Sequence, residues 1–411
     1  MHDVPTLLAF ADARERVLAV ARESVLPSEA LALEAACGRF LAQDVHARHD
    51  LPPFTNAAMD GYALRGIDLP ASGERRFRVI ADAFAGAAEA PPAPGEGECV
   101  RIMTGAPMPP GADTVVIREN VRVDAGAIVV GNGERAGANV RIAGEECPRG
   151  ARVLAAGTRL GPAQIGLAAT CGHARLLVAN RPRVAVFSTG DELVAPGEPL
   201  DPGRIPDSNR VAMAALLRED GIEPARVGHL RDDRAAMAAA LHDAAACHDV
   251  IVCSGGVSAG AADFLPGLVA ELGTVWFWKV RIKPGMPLLF GRIGSALVFA
   301  LPGNPVSTIA NFVLFVLPAL HAMQGAAQPV PSVRRARLAE ALGKRHDRTE
   351  LVRVRLDAAG DGALVAVPLR AQGSGMLTGI ASADALAVVP EATHSLEAGA
   401  TVDILPLRAS W

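Results

Sequence analysis

No two of the six cysteines (Cys37, Cys99, Cys147, Cys171, Cys247, Cys253) form a C-x-x-C pair. That argues against a zinc knuckle, a redox pair or a disulfide framework, and favours reduced thiols in a cytosolic protein. No long basic run exists, net charge is −4 and pI is near 6.2. Binding to nucleic acid or to a membrane surface is not expected from such a balance. The longest apolar stretch, "TIANFVLFVLPALHAM" (308–323), contains Asn311 and is broken by Pro318. It falls short of the ~20 residues of a membrane span, so a buried core helix is expected. The opening "MHDVPTLLAFADARERV" is acidic early and amphipathic, unlike a secretory leader. The expected location is cytoplasmic.

Aromatics are scarce too, at 4%, and Tyr62 is the one tyrosine. It sits in "NAAMDGYAL" (56–64), beside Asp60 and among small residues. Lysine is almost absent: three (Lys279, Lys283, Lys344) among 40 basic residues. Where arginine serves nearly everywhere, a surviving lysine points to a need for a compact ammonium. Two of the three lie four residues apart.

A chain of 411 residues is expected to form three or four domains. Residues 6–21 read as an amphipathic helix capped by Thr6, and 28–47 as a helix, a stop at Gly38 and a strand. Residues 51–146 are rich in Gly and Pro with short alternating strands. From 180 strands and helices alternate regularly, which implies a parallel sheet covered on both faces. The tail is β-like. The reading is a multidomain α/β plus β protein. A small discontinuous α/β domain (1–50 and 147–179) is interrupted by an inserted mostly-β domain (51–146). A doubly wound parallel-sheet domain (180–326) and a C-terminal β-barrel (327–411) follow.

In open parallel sheets, ligands bind beyond the carboxyl ends of strands. Five unusual segments fall there: "STGDEL" (188–193), "RDD" (231–233), "SGGVSAGAADF" (254–264), "KVRIKPGMP" (279–287) and "PGNPVS" (302–307). Gly255, Gly256 and Ser258 suit a backbone nest for an anion, though a glycine turn alone would read the same. Lys279 and Lys283 add cationic charge, unless they are ordinary surface lysines. Pro302 and Pro305 fix a helix entry whose N–H groups, with Ser307, can meet an anion; a rigid helix start is the plainer alternative. Asp191, Glu192, Asp232, Asp233 and Asp263 lie on the same edge. Carboxylates around an anion pocket imply a bridging cation, most simply Mg²⁺, although "RDDR" is also a good helix cap. Outside this domain, Asp60, Thr104 in "RIMTGAPMPPGAD" and Glu145–Glu146 in "RIAGEEC" are polar residues on stiff loops. The small residues at 57, 58 and 61 suggest close approach by another surface.

At these residues the chain resembles the molybdopterin molybdenumtransferase (MoeA) family. The segments "LPPFTNAAMDGYAL", "RIMTGAPMPPGADTVV", "VFSTGDELVAPGEPL", "CSGGVSAGAADF", "WFWKVRIKPGMPLLFG" and "LPGNPVS" carry the match, in order. The resemblance implies a four-domain homodimer with a cleft between the third domain of one subunit and the second of the other. It implies that adenylylated molybdopterin and molybdate give molybdenum cofactor and AMP, with Mg²⁺. An upstream adenylyltransferase would hand over the substrate, and downstream cofactor-processing proteins would receive the product. Family site residues fall on Asp60, Thr104, Glu192, Asp232, Asp263, Lys279, Lys283, Pro302 and Pro305. Glu192, Asp232 and Asp263 would place the metal. Two positions depart: Glu146 stands for an aspartate, and Met286 for a lysine. Two other readings stay open, an adenylyltransferase acting one step earlier and a non-enzymatic scaffold.

Overall fold

The strongest constraint on the chain is the buried β-branched run. Val184–Thr189, Val250–Ser254 and Ala296–Leu301 are buried at every position, so each strand must be covered on both faces. The computed structural model describes residues 6–87, 89–258 and 263–407. In it these strands form the centre of a seven-stranded sheet. The order is Thr6–Leu8, Gly273–Val280, Leu289–Ile293, Ala296–Leu301, Val250–Ser254, Val184–Thr189, Arg226–Leu230. Leu289–Ile293 alone runs against its neighbours. The other six strands therefore end on one edge. Alternate side chains feed two cores. Val184, Val250 and Phe299 pack with helices Phe10–Glu23, Ser208–Glu219 and the Pro305–Met323 stretch. Ala185, Ile251 and Val298 pack with helices Arg234–Cys247 and Leu265–Leu272. Pro305–Met323 is apolar and long enough to cross a membrane, but 83% of it is buried inside the fold.

The N-terminus departs from expectation. Thr6–Leu8 is a strand parallel to the sheet edge, with Thr6 opposite Trp278 and Leu8 opposite Val280, so Thr6 caps nothing. The helix starts at Phe10 and buries Phe10, Ala13, Val17 and Ala21 against the doubly wound domain. The helix expected before the Gly38 stop is also absent, while the strand expected after it is found at Val45–His46. Ser28–Ala32 is a strand antiparallel to Arg175–Ala179, followed by a single 3₁₀ turn, Leu33–Ala35. Long-range pairing overrides the helix propensity of its Glu and Ala residues. Helix Pro162–Thr170 and strand Val45–His46 complete this small domain around Leu41, Leu160 and Val178.

Leu51 and Cys147 exchange backbone hydrogen bonds of 2.8 and 3.2 Å where the chain enters and leaves the inserted unit. Its six-stranded sheet holds Gly61–Leu64 as an inner strand between Thr114–Ile117 and Glu98–Ile102. Tyr62 is buried there with Leu64, Cys99 and Val116. The small residues beside it serve this packing. A Cβ on Gly61 would run into the Val116 carbonyl, and Ala57 is fully buried. In the tail, Thr349–Ala358 pairs with both Leu364–Pro368 and Ala385–Val389, which closes a five-stranded barrel. Ile282–Lys283, from the doubly wound domain, adds to the barrel edge in register with Thr349 and Glu350.

Candidate active site

The shared carboxyl edge of the sheet opens into a cleft of about 480 Å³. Glu192, Asp232, Asp263, Gly255, Gly256, Ser258, Pro302 and Pro305 all line it. Thus eight of the residues expected from sequence meet in one place.

The glycines are demanded by geometry. Gly255 and Gly256 have φ of +95° and +62°, and a Cβ on Gly255 would lie 2.6 Å from both the carbonyl and hydroxyl oxygens of Thr189. The Gly255 N–H is not offered to the cleft, because it donates to Leu301 O at 3.0 Å. Ala259–Ala262 of the same loop lie outside the described residues. Ser254 donates to Pro302 O at 3.1 Å and accepts from Asn209 Nδ2 at 2.8 Å, while Asn209 Nδ2 also donates to Gly303 O at 2.7 Å. This network ties two cleft loops together. Asn209 lines the cleft and was not expected; its signal, "DSNR", reads first as a helix cap. Asp207 is that cap, accepting from the Arg210 N–H at 3.2 Å.

Neighbouring carboxylates divide their work. Asp233 accepts from the N–H groups of Ala235 and Ala236 at 2.9 and 3.0 Å, capping its helix. Asp232 faces the cleft and is coupled to Asp191: each backbone N–H donates to the other's carboxylate, at 3.3 and 3.4 Å. Glu192 is exposed and folds over Gly190, whose φ of +137° and missing Cβ leave room for it. Cys253, just before the glycine loop, is fully buried, and burial pushes its thiol up to about 12. No thiolate is available there for metal or nucleophilic chemistry.

Other expected residues lie elsewhere. Lys279 and Lys283 do not line the cleft and sit on different strands. Lys279, at φ +73°, places its ammonium 4.3 Å from the Trp278 ring centroid. Lys283 pairs with Glu350 of the barrel at 2.8 Å. Ser307 is buried, and the Val306 N–H beside it donates to Ser374 O of the barrel at 3.1 Å. That carbonyl takes the place expected for an anion. At the departure from the family pattern, Arg348 Nη1 lies 3.9 Å from Met286 Sδ. A cation thus stands beside the position where the family resemblance implies a lysine.

Asp60, Thr104 and Glu146 belong to the inserted unit. Asp60 Oδ1 accepts from the Thr104 N–H and hydroxyl, both at 2.7 Å. These bonds, then Arg118 and Arg101, hold the Asp60 carboxyl below its ordinary value. Glu146 is exposed where the chain leaves the inserted unit, with its N–H on Leu51 O at 3.0 Å.

Comparison with known proteins agrees with this architecture. Residues 8–172 match the MoeA N-terminal region (domain I and II), 185–322 a probable molybdopterin binding domain, and 335–407 the MoeA C-terminal region (domain IV). The molybdopterin molybdenumtransferase of Staphylococcus aureus (strain COL) is 34% identical over 390 residues, covering 94% of this chain and 93% of its own. The Haemophilus influenzae enzyme of that name is 38% identical over 302 residues, 73% of this chain and 74% of its own. A crystal structure of the molybdopterin biosynthesis MoeA protein from Pyrococcus horikoshii OT3 superposes with a TM-score of 0.83 at 27% identity, covering 98% of this chain and all of that one. With the three family regions matched in order along most of its length, the chain belongs to the molybdopterin molybdenumtransferase (MoeA) family, transferases of molybdenum cofactor biosynthesis.

Proposed function

We propose that this transferase moves molybdenum from molybdate into adenylylated molybdopterin, releasing AMP and forming molybdenum cofactor. The observation that carries the reading is the convergence of three carboxylates with a glycine loop on one cleft of the molybdopterin-binding domain. The substrate carries a pyrophosphate and supplies its own dithiolene sulfurs, so the protein needs no cysteine ligand. Gly256 and Ser258 offer polar groups to the phosphates.

Mg²⁺ suits the donors, because the expected metal ligands Glu192, Asp232 and Asp263 present only carboxylate oxygen. Among the described residues no group of three His, Cys, Asp or Glu forms a closed cage. An ion there would have to be held through one or two carboxylates together with substrate phosphate, keeping its waters. When bound, Mg²⁺ supplies a Lewis acid for the phosphoryl oxygens. Whichever of Glu192, Asp232 and Asp263 reach the ion would fix its place beside the substrate pyrophosphate.

The working unit is proposed to be a homodimer. Asp60 is exposed, held ionised by Thr104, and flanked in the chain by exposed Phe54 and Met59. Such a rim suits delivery of Asp60 to the cleft of a second copy. Six free thiols suit the cytoplasm. The upstream adenylyltransferase and downstream cofactor-processing proteins are the proposed handover partners.

The test measures AMP release from adenylylated molybdopterin with and without molybdate and Mg²⁺. Molybdate-dependent release is expected. Release indifferent to molybdate would sink the reading, and ATP consumption with molybdopterin would favour an adenylyltransferase.

A further inference from the structure

The C-terminal barrel buries a guanidinium completely. Arg353, midway along Thr349–Ala358, has no exposed surface, and among the described residues it has no ion-pair partner. Its bonds converge on one barrel loop. Nε donates to Ala371 O at 2.9 Å and Nη2 to Gly373 O at 3.2 Å. The Arg353 N–H donates to Gln372 Oε1 at 3.1 Å, and its carbonyl accepts from Gln372 Nε2 and the Leu369 N–H, both at 2.9 Å. Gly379 makes room: a Cβ there would run into the Ala371 carbonyl and come within 3.0 Å of Arg353 Nε.

The next residue, Ser374, reaches out of the barrel. Its carbonyl accepts the Val306 N–H at 3.1 Å. Val306 stands in the first turn of helix Pro305–Asn311, directly after Pro302–Pro305 of the cleft wall. A continuous chain of bonds thus runs from Arg353 through the 369–374 loop to the lip of the cleft.

Packing does not explain the arginine. Its cross-strand neighbour is buried Leu386, and a buried charge without a carboxylate is costly where an apolar side chain of like volume usually packs as well or better. What only arginine provides is a rigid fork of donors for two carbonyls at once.

We propose that Arg353 is a positioning residue for the cleft, fixing the 369–374 loop so that Ser374 holds Val306 and with it the 302–305 lip. The barrel is then part of the binding machinery rather than an appendage. The inference rests on the cleft being the molybdopterin site, but its first test does not.

In the full-length protein, Arg353→Lys keeps the charge and loses the fork. Amide exchange of the 302–308 segment should quicken about tenfold, while the Val250–Ser254 strand keeps its rate. Molybdopterin, followed by its own fluorescence, should bind about as many fold more weakly, raising KM more than it lowers kcat. Val306→Pro removes an N–H of the first helical turn, which has no intrahelical partner to lose. It should reproduce the loss, and the double variant should lose no more than either single one. Wild-type exchange at 302–308, quickening spread evenly over the sheet, or additive losses would each overturn the proposal. Quickened exchange at 302–308 with unchanged molybdopterin binding leaves the strut standing and overturns instead the cleft assignment on which its binding role rests.

Discussion

Thr104 holds Asp60 twice, through its backbone N–H and its hydroxyl, each 2.7 Å from the same carboxylate oxygen. Oδ1 is thereby committed, while the residue stays exposed. The depressed pKa of Asp60 has a definite sign. A carboxylate whose folded pKa is lowered contributes stability above its unfolded value of about 3.8, and that contribution is lost as pH falls through the folded pKa. Thr104→Val removes the hydroxyl but keeps the N–H. The Asp60 carboxyl carbon, followed by NMR, should then titrate at higher pH than in the wild type, and Thr104→Ser should restore it. An unmoved titration would show that the hydroxyl bond is not made in solution.

Asp232 and Asp233 are adjacent but should fail differently. Asp233→Ala removes a helix cap and should cost about 1 kcal/mol of stability, with turnover retained. Asp232→Asn keeps the shape of a cleft residue and removes its charge. It should leave the melting temperature close to wild type and abolish most Mg²⁺-dependent AMP release. Thermal melts and AMP assays on both variants decide the matter. Equal stability losses would mean that Asp232 is a cap as well.

Gly255 is constrained both by its φ of +95° and by the Thr189 oxygens 2.6 Å from any Cβ. Gly255→Ala should therefore cost about 1–3 kcal/mol. Because the strain sits in the cleft wall, molybdopterin binding should weaken as well. Gly294→Ala is the control: its φ is also positive, at +56°, but no atom lies within 4 Å of the added carbon. It should destabilise less and leave binding intact, as denaturant titration and pterin fluorescence would show.

Much of the cleft was legible because a parallel sheet gathers its loops by rule. Once Val184–Thr189, Val250–Ser254 and Ala296–Leu301 read as buried strands, Glu192, the 255–258 loop and Pro302 had to share an edge. Tyr62 proves to be a packing residue, for the strand that follows Asp60 is an inner one. What stayed hidden depends on partners far along the chain. Thr6–Leu8 becomes a strand only because Trp278 and Val280 present an open edge. Lys283 turns toward Glu350, and the Val306 N–H is taken by Ser374, only because the barrel docks there. Neither periodicity nor turn chemistry encodes such docking. Asn209 was missed for another reason: "DSN" signals a cap so well that its second residue beyond the cap drew no chemical reading.

Where Asp60 acts can be decided with two inactive chains. Asp60 is separated by domain from Asp263 of the cleft, and the two share no lining residue in the cavities that hold them. If each site is built from the cleft of one subunit and Asp60 of another, Asp60→Ala and Asp263→Ala homodimers are both inactive. In a mixed dimer, however, one site combines two intact components while the other carries both lesions. The purified heterodimer should then recover about half the activity of a dimer with two intact sites, as a two-fold symmetric assembly requires. Differently tagged chains, co-expressed and purified through both tags, provide that species, and AMP release reads it. A heterodimer as inactive as its parents would place Asp60 and Asp263 in one subunit's site. The inserted domain would then have to close on its own cleft, and Leu51–Cys147, where the chain enters and leaves it, would be the hinge.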